Sequence, residues 1–310
     1  MTIEANLRID AATIKSKIID FIRTKLNQRD IDGLIVMFSD CVESIINVHI
    51  AKEIVGYENV KLLVTKGRFI YQAPKERMSL KEINYYLSLP EENIVVLNME
   101  GALREIRKLF YEGEPLFYDT SPVLNYNLSY FLLKSMAATE IEEKTFIPQI
   151  EKPSSPREIF IQKTIAYHKS QIRLGMLLAF LLAETENKSV FGSTNKTERL
   201  LGFFTKFGTY HACDFLPLAN LYRTQVIQLA EHLKLQEYLN TKEFKKPPAY
   251  DFFFGLNSEE VDRILIRLES GLSIQEIFQE TSFSLDAIEK VNFYYQASNY
   301  TRLVPFIPRF

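Results

Sequence analysis

The chain is poor in the residues that several common site architectures require. Only 11 of its 310 residues are glycine, too few to expect a glycine-rich phosphate loop. Two cysteines, Cys41 and Cys213, exclude a disulfide framework and make a reducing compartment the default. The four histidines, His49, His168, His211 and His232, show no pairing at metal-ligand spacing, which argues against zinc. The formal net charge is only −2, so no general attraction to nucleic acid or to an anionic membrane is implied. The longest apolar run, around 176–183, is too short to span a bilayer. The opening MTIEANLRID has no cationic start followed by an apolar core, so no secretory leader is expected. A cytoplasmic location is expected.

What is present is ordinary for a globular protein: 46% hydrophobic and 25% charged residues. The length suits one large α/β domain or two small ones. Ile14, Ile18, Ile19, Phe21 and Ile22 recur at roughly helical spacing within 11–28. Residues 34–38 read as a buried parallel strand. A helix is expected over 44–55, a second strand over 60–64, a helix from a Ser79 cap to Leu89, and a third strand over 94–97. A long helix is expected over 157–186, a fourth strand over 189–191 and a helix over 221–235. Three helical patterns over 258–300 break at Gly271 and at 282–284. Strands alternating with helices predict an α/β fold with a doubly wound parallel sheet flanked by helices. Residues 100–156 fit this rhythm poorly. No internal repeat or low-complexity tract is visible.

The most informative stretch is 190–208, VFGSTNKTERLLGFFTKFG. A short apolar strand enters a polar turn, and a helix carrying Leu200, Leu201, Phe203 and Phe204 is expected to follow. Such units build nucleotide sites at the carboxyl ends of strands. Thr194 and Glu198 are four apart and are expected on one turn of that helix, where hydroxyl and carboxylate suit a triphosphate and magnesium. The same letters also fit a capped surface helix. Cys41 sits at another strand-to-helix turn, where a nucleophile and a buried thiol are both readable. Asp40 and Glu43 would raise its pKa.

Residues Gly192-Ser193-Thr194-Asn195-Lys196-Thr197-Glu198 resemble the Gly-Thr-x-Asn-(Lys/Arg)-(Ser/Thr)-Glu signature of ammonia-dependent NAD synthetases, within the N-type ATP pyrophosphatase superfamily. The resemblance continues through 201–208, 214–218, 221–226, Lys246-Pro247-Pro248 with Asp251, and 271–273. A fainter echo is in Ser298, Arg302, Pro305 and Pro308. It implies an adenine nucleotide alpha hydrolase-like, Rossmann-like fold in a single domain over 1–310. An atypical insertion would lie at about 100–156 and a helical C-terminal segment at about 256–300. It implies ATP and Mg2+ as cofactors, deamido-NAD and ammonia as substrates, and a homodimer built on the long helix.

The implied reaction amidates deamido-NAD through an acyl-adenylate and releases AMP and pyrophosphate. Carried over residue by residue, Ser39, Ser44, Thr194, Arg223 and Lys246 would bind ATP. Glu43 and Glu198 would hold the metal. Arg173, Phe203, Phe207, Asp214, Asp251 and Arg302 would bind substrate. Phe203 and Phe207 are also readable as core. The pattern departs from the family at the pyrophosphate loop Ser-Gly-Gly-x-Asp-Ser, here Ser39-Asp40-Cys41-Val42-Glu43-Ser44. Both glycines are gone, and Glu43 replaces the aspartate. Arg223 stands for a lysine, Ala249 for a serine, Tyr300 for a histidine, Thr301 for a lysine, Lys169 for an asparagine and Gly175 for an arginine. These departures admit two other readings: an amide ligase acting on another carboxylate, or an impaired homologue with a binding role.

Overall fold

The computed structural model describes residues 7–39, 41–66, 80–111, 156–208, 211–240 and 254–302. The elements run α1 (Ala11–Asn27), β1 (Gly33–Phe38), α2 (Val42–Val55), β2 (Val60–Lys66), α3 (Leu80–Leu87), β3 (Ile94–Asn98), α4 (Glu100–Tyr111) and α5 (Pro156–Thr185). They continue β4 (Lys188–Phe191), α6 (Lys196–Leu201), α7 (Arg223–His232), the single turn α8 (Gln236–Leu239), α9 (Ser258–Glu269), α10 (Ile274–Glu280) and α11 (Leu285–Arg302).

The four strands form one sheet in the order β3-β2-β1-β4, and every neighbouring pair is parallel. Strands buried on both faces must be apolar throughout, and β1, GLIVMF, meets that demand. Alternation divides its side chains between two layers. Leu34, Val36 and Phe38 join Leu62 and Phe191 under α1, α2 and α7. Ile35 and Met37 join Leu63 and Val190 under Met176, Ala179 and Ala183 of α5. A further core, built on Leu200, Leu201, Val261, Ile264, Leu265, Ile288 and Val291, packs α9, α10 and α11 against α6.

The expected strands and helices are found, with one correction at α6. It ends at Leu201, so Phe203 and Phe204 lie beyond it. Gly202 takes a left-handed conformation (φ 78°) and closes the helix as its C-cap. A Cβ there would also come within 3.0 Å of Ser298 Cβ on α11, so the close approach of α11 requires glycine as well. Of the irregular stretch 100–156, α4 is described, whereas 112–155 lie outside the described residues.

Candidate active site at the sheet switch point

From β1 the chain winds one way to β2 and β3, then returns through α5 to place β4 on β1's other side. The carboxyl ends of β1 and β4 therefore border the crevice where open α/β sheets bind ligands. The register ends at Val36 opposite Phe191. The loops 39–41 and 192–195 leave the sheet side by side.

The first turns of α2, α6 and α7 meet at the Glu43 carboxylate. Glu43 is buried and its Oε1 accepts a hydrogen bond from Asn195 Nδ2 at 2.8 Å. The same oxygen is ion-paired with the Arg223 guanidinium. Asn195 is the N-cap of α6. Its side chain accepts from the Glu198 N–H at 2.9 Å, and its own N–H donates to Glu198 Oε2 at 3.2 Å. Asn195 and Glu198 thus form a capping box, while Thr194 stands one residue before the cap and off the helix. Thr194 is buried, and the expectation that it shares a helical turn with Glu198 is corrected: the cap falls at Asn195, so the helix starts after Thr194. The capped-helix and nucleotide-site readings of 190–208 are therefore compatible: the cap presents Glu198 beside Glu43.

Electrostatics separate the two carboxylates. Burial works to raise Glu43, but the charge and hydrogen bond of Arg223, with Asn195, outweigh it and hold this carboxyl below its ordinary range. Burial, and then the charge of Glu43, push Glu198 up to about 8. The Asn195 N–H and the Arg223 charge oppose that shift but are the smaller influences. With Glu198 protonated at neutral pH, the junction carries one negative and one positive charge. A divalent cation there would favour the ionised form of Glu198 and draw off its proton. No group of three or more His, Cys, Asp or Glu suited to a metal occurs among the described residues. Two protein carboxylates completed by water and phosphate oxygens fit the coordination habit of Mg2+.

The remaining predicted residues are distributed as follows. Ser44 is buried and its hydroxyl donates to Cys41 O at 2.8 Å. Ser39 is exposed, with its hydroxyl 3.0 Å from Cys41 Sγ. Cys41 is the N-cap of α2 but contributes no side-chain cap. Burial, then the charge of Glu43, push its thiol up to about 12, which removes the nucleophile reading. Arg173, on α5, donates from Nε to Lys206 O at 3.0 Å. Phe207 is exposed, has a φ of 56° and lies 5.7 Å from the His211 ring. His211 in turn meets the Arg302 backbone. The Arg302 guanidinium itself turns to α11, donating to Tyr295 O and Asn299 Oδ1. Phe203 stacks on Tyr294 at 5.6 Å in the C-terminal core. The Asp214 carboxylate accepts the Val190 N–H at 2.8 Å and latches the segment after α6 to β4. Asp40, Lys246 and Asp251 lie outside the described residues.

Three contacts escaped the sequence reading. Asn195 was readable as a helix cap, whereas its bond to Glu43 was not. Asn47, one helical turn after Glu43, donates to Gly192 O at 3.0 Å and Ser193 Oγ at 3.3 Å. It ties α2 to the β4 loop. Asp262, fully buried on α9, accepts from Thr197 and Thr224. Nothing local in the sequence foretells those partners. Gly175, at the position of a family arginine, faces the sheet: a Cβ there would sit 3.2 Å from Met37 Cε.

Comparison with known proteins agrees with this geometry. The NH(3)-dependent NAD(+) synthetase of Coprothermobacter proteolyticus is 28% identical over 283 residues, covering 89% of this chain and 90% of that protein. The Thermotoga maritima protein of the same description is 26% identical, covering 90% and 94%. Among solved structures, the NH3-dependent NAD synthetase of Campylobacter jejuni aligns at a TM-score of 0.61 with 18% identity, covering 97% of this chain and all of that one. NMN synthetase from Francisella tularensis aligns at 0.57 with 19% identity, covering 98% and 100%. These two likenesses carry the fold, a Rossmann-like parallel sheet flanked by helices. The NAD synthase family matches residues 132–305, more than half of the chain, and the chain belongs to that family.

Proposed function

We propose that the chain is an ammonia-dependent NAD synthetase. The observation that carries this reading is the junction of Glu43, Arg223, Asn195 and Glu198 at the switch point, on a chain of the NAD synthase family. A carboxylate oxygen of deamido-NAD attacks the α-phosphorus of ATP. The bond to the β-phosphate oxygen breaks and pyrophosphate leaves. Ammonia then attacks the acyl carbon, AMP departs, and the extra proton is lost to solvent.

The protein's task is positioning and charge neutralisation rather than nucleophilic attack. Arg223 supplies the cation for the departing pyrophosphate, and the N–H groups of α2's first turn face the same anion. Glu43 and Glu198 would hold Mg2+, which would supply charge neutralisation for the leaving phosphates. By the family resemblance Ser39, Ser44 and Thr194 would contact ATP, and Arg173, Phe207 and Arg302 would contact deamido-NAD; Lys246 and Asp251 are carried by the resemblance alone. Asp214 acts by holding β4, and Phe203 by packing.

Where the family has a glycine nest, this chain pairs Glu43 at the start of α2 with Arg223 at the start of α7. With ATP bound, Arg223 would turn from Glu43 toward the polyphosphate, and Glu43 would be released to hold the metal. The whole chain works as one domain. Exposed Leu177 and Leu181 on α5 supply apolar surface for a homodimer, and two free cysteines accord with a cytoplasmic location. No described helix is long and apolar enough to cross a membrane.

The test is product formation from deamido-NAD, ATP, Mg2+ and an ammonium salt, followed by mass spectrometry. Equal amounts of NAD and AMP are expected. AMP release without NAD would point to another acyl substrate or to hydrolysis, and would contradict the proposal.

A further inference from the structure

The proposed chemistry makes no use of the most deeply buried carboxylate beside the junction. Asp262 projects from α9 and is fully buried. Its Oδ1 accepts from Thr197 Oγ1 at 2.5 Å. Its Oδ2 accepts from the Thr224 N–H at 2.8 Å and the Thr224 hydroxyl at 2.7 Å. Thr197 Oγ1 in turn accepts the Arg223 N–H at 2.8 Å. Thr197 immediately precedes Glu198, and Thr224 immediately follows Arg223. A carboxylate from a third helix therefore joins the first turns of α6 and α7, one residue away from each of two side chains at the junction.

We infer that Asp262 is a positioning residue for magnesium-ATP, fixing α6 against α7 so that Glu198 and Arg223 converge on Glu43. The inference rests on the synthetase reading and adds a residue to it. Three donors point at Asp262, and a carboxylate, being acceptor-only, satisfies them all. Asparagine in its place would turn N–H groups toward the Thr197 hydroxyl, which already receives the Arg223 N–H. Burying a charge without full pairing is costly, so the site needs this connection between two helices and not mere filling. A carboxylate there also favours the N-terminal ends of the helices it touches. Glu198 and Arg223 sit on separate helices, and neither can find Glu43 unless the two first turns keep their offset.

The test uses Asp262→Asn, Thr197→Val and the conservative Thr197→Ser in the full chain. Readouts are the KM for ATP in pyrophosphate exchange, the KM for deamido-NAD, the melting temperature, and the Arg223 guanidinium Nε–Hε resonance, assigned by its loss in Arg223→Lys. Asp262→Asn and Thr197→Val are expected to raise the ATP KM by about 10- to 100-fold, as outer-shell partners commonly do. The deamido-NAD KM should stay unchanged, and Thr197→Ser should recover the ATP KM. The Arg223 resonance should shift or broaden in Asp262→Asn and Thr197→Val and return in Thr197→Ser. Should Asp262→Asn fail to fold, the Thr197 pair decides. A folded Thr197→Val protein with unchanged ATP KM and unchanged Arg223 resonance overturns the inference. If the wild-type protein shows no exchange at all, the synthetase reading fails, and the Arg223 resonance alone then decides whether Asp262 positions it.

Discussion

The loops after β1 and β4 leave the sheet side by side, yet the carboxylates that follow them are held in opposite ways. Glu198 is held locally, by Asn195 three residues before it in the cap of α6. Glu43 is held from a distance, by Asn195, 152 residues away, and by Arg223, 180 residues away. A locally closed loop keeps its signature in contiguous letters. A loop satisfied from afar can change its letters provided its distant partners suit them. The altered 39–44 segment is thus consistent with a remade site rather than a lost one, because Glu43 still meets an arginine and the β4 cap.

The strongest way to break the comparison is to remove the distant cation that holds Glu43. Arg223→Met leaves the buried Glu43 charge without its cation, and losing one member of a buried pair costs about 3–5 kcal/mol. Urea unfolding should show that loss, and adding Glu43→Gln should recover part of it. Unchanged stability would mean that the pair is absent in solution.

A smaller effect separates the local loop from the distant one. Asn195→Ala removes the cap, worth about 0.5–2 kcal/mol, together with one bond to Glu43. The loss should exceed that of Glu198→Ala, which removes only the reciprocal half of the box.

The pH dependence sharpens the same contrast. Burial, and then the charge of Glu43, raise Glu198 from 4.5 to about 8. The folded state therefore binds more protons than the unfolded state between those values, and its stability falls as pH rises through that window. Asp262, raised by burial to about 6, adds the same sign below that point. His49 and His168, lowered by burial from 6.5 to about 4, act with the opposite sign below 6.5. Between about 6.5 and about 8 the slope therefore belongs to Glu198. Without divalent cation, the melting temperature should fall across that interval, and Glu198→Gln should flatten it. A flat wild-type curve would contradict the assignment. The smallest effect is chemical: Cys41, with its thiol raised to about 12 by burial and by Glu43, should alkylate slowly in the native protein at neutral pH. Unfolding should release it.

Much of the fold was legible from short apolar runs between turn signals. Strand β1 is continuously apolar, as a strand buried on both faces must be. Residues 62–64, 94–97 and 190–191 mark the cores of β2, β3 and β4. Helix α5 announced itself by length and composition. The end of α6 was misread because Phe203 and Phe204 continue an apolar pattern past Gly202, where the chain turns left-handed and α11 arrives. In the site, Thr194 was expected on the same turn as Glu198 and precedes the cap instead, whereas Glu198 itself was legible from a contiguous motif. The pairing of Glu43 with Arg223 was not, since no periodicity relates a helix start after β1 to one after β4. Asp262 was invisible for the same reason: its meaning lies in two threonines on other helices. Phe203 illustrates the reverse, a residue inside the motif whose stacking on Tyr294 was set by distant sequence.

The most direct measurement is ATP–pyrophosphate exchange by the wild-type chain with Mg2+, with and without deamido-NAD. A remade site predicts exchange that requires both deamido-NAD and the metal and is abolished in Glu43→Gln. No exchange, together with no ATP binding by calorimetry, would contradict it.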